Sequence, residues 1–222
     1  MKVFFRNDDL GWDRERFQKL LNLFASHHTK LNVAAIPTSC LELYLPKTFA
    51  EYQGLLQIHT HGYAHVNRIQ IGKRCEFDET RSCEEVEKEM QAGKTILEKL
   101  FPNLYFPAFT PPWNNLPDKF VPALLKTGYK ILSRSDVSHT TPALDIQNLD
   151  VSLSLHSSKR KLYIPHTFIL DEIKKREGSL QPYGILLHHA MMDDLDFSFL
   201  DLLLKKFQER RITAYFFSEL QT

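Results

Sequence analysis

Apolar positions along the chain follow two periods. Short runs rich in β-branched and aromatic residues fall at 3–5, 31–36, 55–58, 105–109, 129–132, 162–164, 184–187 and 212–217, and each reads as a strand. Between them the apolar residues stand three and four apart. Residues 14–26 carry Phe17, Leu20, Leu21 and Phe24 on one stripe, and residues 79–100 carry Val86, Met90 and Leu97 opposite a charged face. Further helices are predicted at 46–52, 117–127, 168–176 and 195–209, the second of these stopped by Gly128. The stretch 135–158, rich in Ser, Thr, Asp and His, shows neither period and reads as loop mixed with short strands. Strands separated by helices imply parallel βαβ units. Seven or eight of them favour an α/β barrel, complete or not, over an open doubly wound sheet.

No repeat, low-complexity tract or linker interrupts the pattern, so 222 residues with 43% apolar content are expected to form one domain over 1–222. A net charge of +1 gives no global field for nucleic acid or an anionic membrane. Lys159-Arg160-Lys161 and Lys174-Lys175-Arg176 read as solvated faces. Cys40, Cys75 and Cys83 form no CxxC pair, which suits inert thiols in a reducing compartment. The opening apolar run is too short for a signal peptide, and no segment approaches the ~20 apolar residues of a membrane span. A cytoplasmic protein is expected.

Asn7-Asp8-Asp9 sets two carboxylates side by side after the first strand. Such charges repel unless a cation lies between them. In His61-Gly62-Tyr63-Ala64-His65 two imidazoles four apart meet at one point if the segment makes a helical turn. One carboxylate and two imidazoles form a facial ligand set with open positions for water and substrate, and the spare carboxylate is left for proton transfer. Pro111-Pro112-Trp113-Asn114 and His188 also follow strands. All four placements fall at the carboxyl ends of strands, the rim on which parallel barrels build active sites.

With these residues assembled, the chain resembles the polysaccharide deacetylases, the NodB-homology carbohydrate esterases, in a divergent form. Asn7-Asp8-Asp9 is similar to their Thr-Phe-Asp-Asp motif, and His61 to His65 to their His-Ser/Thr-x-x-His. Phe109-Thr110-Pro111-Pro112-Trp113 resembles Arg-x-Pro-Tyr/Trp, one wall of the groove. Ile185 to His188 resembles the late strand that ends in a histidine. The resemblance implies a distorted (β/α)7 barrel with Asp8 as catalytic base, His188 as catalytic acid, and Asp9, His61 and His65 as metal ligands. It implies substrate contacts at Trp113, Pro112, Asn114 and Tyr63. The cofactor implied is a divalent ion, zinc first, with Co, Ni, Mn and Fe compatible. The reaction implied is removal of an acyl group, acetyl foremost, by water activated at the metal. Asp8 would take a proton and a charged His188 would return one, giving a bell-shaped pH profile. There are three departures. Thr110 stands where the family has the Arg that contacts the catalytic aspartate; the Asp-x-x-Asp-Trp motif has no clear match, Asp136 being nearest; and Gly62 replaces Ser/Thr.

Each feature also has a plainer reading. Asp8 and Asp9 would serve as a helix N-cap, His61 and His65 as solvated loop residues, and Trp113 as core. His59 is expected to point away from His61. Of His188 and His189, neighbours on a strand, only one can face the site. Met191-Met192-Asp193-Asp194 reads as a rim loop or a helix start, and Arg134 and His166 as structural. Three functions compete: a deacetylase of N- or O-acylated sugars, a hydrolase of a non-sugar C–N bond such as a small amide or cyclic ureide, and a silent barrel binding a glycan or protein. The partner expected is a small molecule or glycan, not nucleic acid.

Overall fold

A computed structural model describes residues 2–135, 146–155, 165–179 and 181–222. The elements run β1 (Val3–Leu10), α1 (Arg14–Ser26), β2 (Leu31–Ala35), α2 (Pro37–Leu43), β3 (Leu56–His61), α3 (Cys83–Leu100), β4 (Tyr105–Thr110) and α4 (Val121–Lys126). There follow β5 (Ile131–Leu132), β6 (Gln147–Asn148), β7 (Val151–Ser154), α5 (His166–Lys175), β8 (Tyr183–Leu187), α6 (Asp194–Glu209) and α7 (Phe217–Leu220). The strands form one sheet in the order β6-β5-β4-β3-β2-β1-β8-β7, and every pairing is parallel. The sheet curls until its two ends touch: Ser135 pairs with Val151, whose N–H donates to Arg134 O at 2.8 Å. This is the barrel that the alternation of periods favoured, in the distorted (β/α)7 form that the resemblance implied.

β1 shows how the barrel sorts its side chains. Val3 and Phe5 face outward into the layer of α1 and α6, where Phe5 meets the Phe24 ring edge-on at 5.2 Å. Phe4 faces inward with Ala108, Ile131 and Leu186. Phe217 and Leu220 of α7 plug the floor of the barrel, Phe217 lying 5.2 Å from Phe4. Asn32 fastens this plug, donating to the Phe5 and Tyr215 carbonyls and accepting the Phe217 N–H. Gly184 lets β8 approach, because a Cβ there would stand 2.3 Å from the Phe4 ring.

Several elements differ from the sequence expectation. β1 runs on to Leu10: Arg6 and Asp8 pair with each other inside the barrel, and Asn7 pairs with His189 on the other face. Pro37 starts α2 rather than merely ending β2, as its fixed φ suits a first helical turn. The helix expected at 46–52 reduces to one 3-10 turn, Ala50–Tyr52. α3 begins at Cys83, where Ser82 and Glu85 form a capping box. The strand expected at 212–217 is a single bridge, Ala214 to Val3, before α7. The strand at 162–164, the 159–161 cluster, Asp136, His139 and His156 lie outside the described residues. Among the described residues no helix is long and apolar enough to cross a membrane.

Candidate metal centre and active-site cleft

In a regular strand Asp8 and Asp9 would face opposite sides of the sheet. The β1–β2 register slips between Asn7 and Leu10, and Asp9 sits in the left-handed region at φ 70. This bulge turns the second carboxylate inward, so both aspartates line one cleft of about 870 Å³ at the carboxyl rim. A non-glycine residue held at positive φ costs on the order of 1–3 kcal/mol and persists only where its surroundings impose it.

His61 ends β3, and His65 follows a bend rather than the helical turn expected, with Gly62 at φ 59 and His65 at φ 55. The His61 Nδ1–H donates to Thr110 O at 2.9 Å, which leaves Nε2 with its lone pair toward Asp9. Asp9 Oδ1 lies 3.2 Å from His61 Nε2 and 3.3 Å from His65 Nε2. Neither contact has hydrogen-bond geometry, so this buried oxygen has no donor among the described residues. One donor atom from each residue falls within 4.8 Å of the others. Burial pushes the Asp9 carboxyl up, but the His61 contact and the charges of His188 and His65 outweigh it and hold the pKa at about 2. Burial, with the charge of His61, brings His65 down to about 4. Burial also opposes charge on His61, yet Asp9 and Asp8 together raise its pKa. An ionised carboxylate oxygen without a donor, facing two imidazole nitrogens, fits a divalent cation better than it fits packing.

Arg6 is fully buried and shares the inward face with Asp8. Its Nε and Nη2 donate to Asp8 Oδ1 and Oδ2, both at 2.9 Å. Nη2 also donates to Asn114 Oδ1 at 2.7 Å, and Nη1 to Ser133 Oγ at 2.9 Å and Arg134 O at 3.3 Å. All five N–H groups are thereby used. Arg6 supplies the guanidinium contact that Thr110, in the third-motif position, cannot. Thr110 instead accepts or donates at His59 Nε2, 2.9 Å away. His59 is therefore on the same face as His61, contrary to expectation, because residues two apart on a strand share a side.

His188 faces the cleft with Nε2 4.0 Å from Asp8 Oδ2. Its Nδ1 is buried and has no hydrogen-bond partner among the described residues. Burial, ahead of the opposing charges of Asp8 and Asp9, pushes its pKa below 6.5, so the charged imidazole expected at neutral pH is the minor form. His189 points outward. Its backbone N–H donates to Asn7 Oδ1 at 3.0 Å and its Nε2 lies 2.8 Å from Trp12 O. Met191 lines the cleft, and Asp193 caps α6.

Trp113 and Asn114 line the cleft; Pro112 and Tyr63 do not. Pro112 is buried against Gly62, and the Tyr63 ring packs on the core around Phe77 and Phe109. Four contributors escaped the sequence reading, Arg6 being the first. Trp12 meets the His65 ring at 4.6 Å, opposite Trp113 at 4.5 Å. Arg74 lines the mouth. Glu76, buried, accepts the Tyr63 and Ala64 N–H groups; burial raises its pKa and the two amides draw it back. The i, i+2 spacing to Asp8 is a signal that could have found Arg6, whereas nothing in the sequence marks Glu76.

No protein-family model matches the sequence, and no curated protein does. Solved structures do resemble it. A family 4 carbohydrate esterase from Streptomyces lividans, in complex with acetate, matches with a TM-score of 0.57 at 11% identity, over 97% of this chain and 92% of that one. The peptidoglycan deacetylase PdaC from Bacillus subtilis matches at 0.62 and 12% identity, over 99% and 89%. A variant of BA3943 from Bacillus anthracis, a pseudoenzyme of the same family with restored activity, matches at 0.63 and 16% identity, over 100% and 67%. At such identities the likeness is one of architecture: the chain has the distorted (β/α)7 fold of the family 4 carbohydrate esterases.

Proposed function

We propose that the chain is a metal-dependent hydrolase that removes an acyl group, acetyl foremost, from an N- or O-acylated sugar. One observation carries this reading: an Asp8 carboxyl clamped on both oxygens by Arg6 stands beside Asp9, His61 and His65, whose donor atoms suit a cation, in an open cleft. A divalent cation there, zinc being the best match to the donors, would acidify water and polarise a carbonyl. Asp8 is the base. Its Oδ2 takes the proton from the attacking water, while the Arg6 fork holds the carboxyl group in place. His188, across the cleft, delivers a proton from Nε2 to the departing nitrogen or oxygen. Trp113 and Trp12 present aromatic surface of the kind that sugar rings pack against.

A second reading, a barrel that binds a glycan or protein without turning it over, draws on the BA3943 likeness and on a His188 Nδ1 that has no partner among the described residues. The intact donor triad and the fully satisfied Arg6 speak against it. Acetate release from N-acetylglucosamine oligomers and O-acetylated xylan, set beside a panel of small amides, separates the readings. Release from a sugar that requires added cation and disappears in Asp8→Asn is expected. A metal-loaded chain that releases acetate from none of them would overturn the proposal.

A further inference from the structure

The bend that joins His61 to His65 closes around a carboxylate from a distant loop. Glu76 is 1% exposed; its Oε2 accepts the Tyr63 N–H at 3.1 Å and its Oε1 accepts the Ala64 N–H at 2.7 Å. These are the amides just before His65. A Cβ on residue 62 would lie 2.0 Å from Glu76 Oε2, so Gly62 is what admits the carboxylate. The bend is also anchored by the Gly62 N–H, which donates to Thr110 O at 3.1 Å, the same carbonyl that orients His61, and by Tyr63 O, which accepts the Thr38 N–H at 3.2 Å. His65 itself lies at φ 55, in the left-handed region that is uncommon for residues other than glycine.

We propose that Glu76 is a positioning residue for the metal centre. By clamping the Tyr63 and Ala64 amides it sets the direction from which the His65 imidazole meets His61 and Asp9. The role rests on the reading of those three residues as ligands. Gly62 and Glu76 thus act as a pair: the missing side chain makes the space, and the carboxylate fills it with two charge-assisted hydrogen bonds.

The test is Co²⁺ binding by the whole chain, read as a dissociation constant and as the visible absorption spectrum, with circular dichroism to confirm folding. Groups that orient metal ligands typically change affinity about 10–100-fold when removed. Glu76→Ala is expected to weaken Co²⁺ binding by that order and to alter the spectrum. Glu76→Gln, which keeps one acceptor oxygen, is expected to lose less, and it carries the test alone if Glu76→Ala fails to fold. Folded variants with wild-type affinity and spectrum would show that Glu76 only packs the bend. A wild-type chain that takes up no Co²⁺ would instead remove the ligand assignment, and this role with it.

Discussion

Arg6 precedes Asp8 by two residues on β1, and its guanidinium holds both oxygens of the Asp8 carboxylate at 2.9 Å. The pair is almost wholly buried, with side-chain exposures of 0% and 3%. Removing one partner of such a pair typically costs about 3–5 kcal/mol, because the other charge stays buried and uncompensated. Arg6→Ala is therefore expected to lower the free energy of unfolding by that order, with a matching fall in the denaturant midpoint. Arg6→Lys keeps the charge but cannot engage both oxygens. It should fold, keep its KM, and lose on the order of 100-fold in kcat through misplacement of Asp8. Denaturant unfolding and steady-state kinetics on the two variants check this.

The pH profile follows from His188. As the acid it must be protonated, and burial, against the pull of Asp8 and Asp9, holds its pKa below 6.5. Rising pH removes the active proton, so the alkaline limb of kcat should have its midpoint below 6.5, and His188→Gln should abolish that limb. A profile still rising at neutral pH would assign the acid elsewhere.

His189 should make stability pH-dependent. Burial lowers its pKa from 6.5, ahead of the Trp12 carbonyl, which acts in the opposite sense. In the unfolded chain it titrates near 6.5, so below that value the unfolded state binds a proton that the folded state refuses. The contribution is fully present above pH 6.5 and is lost as pH falls below it. Denaturant midpoints measured between neutral pH and about pH 5 should fall less steeply in His189→Gln than in the wild type.

Cation removal should cost stability, since a cation held by Asp9, His61 and His65 binds only the folded chain. At 100-fold excess over its dissociation constant it stabilises by about 2.7 kcal/mol. Chelation should thus lower Tm by on the order of 5–10 °C for a chain of this size. His65→Ala should show no chelator response.

His65 lies between two indoles, Trp12 and Trp113. Trp113→Ala is expected to raise KM for a sugar substrate with little change in metal content. Trp12→Ala, which removes a ring packed on the His65 imidazole, is expected to weaken metal retention. Metal analysis beside steady-state kinetics separates the two effects.

Much of this was readable in the chain, and the reasons for the rest are specific. The stripe of Phe17, Leu20, Leu21 and Phe24 located α1 to the residue, because one face of that helix meets only core. The rim position of Asp8, Asp9, His61 and His188 followed from strand ends. The bulge did not, because a φ of 70 at Asp9 is imposed by β2 pairing and leaves no mark on composition. Glu76 reaches its amides from thirteen residues away through a stretch without periodicity. Pro37 gave an ambiguous signal, since proline both ends strands and opens helices. Pro112 looked like groove wall in a Pro-Pro-Trp turn, yet it packs on the Gly62 bend, and Trp113 and Asn114 turn to the cleft.

The central claim is a division of labour between adjacent aspartates, one holding a cation and the other moving a proton. Metal content after reconstitution with Zn²⁺, measured on folded wild type, Asp8→Asn and Asp9→Asn, tests it directly. One ion per chain in wild type and Asp8→Asn, with none in Asp9→Asn, is the predicted result. Full occupancy in Asp9→Asn, or an empty Asp8→Asn, would contradict it.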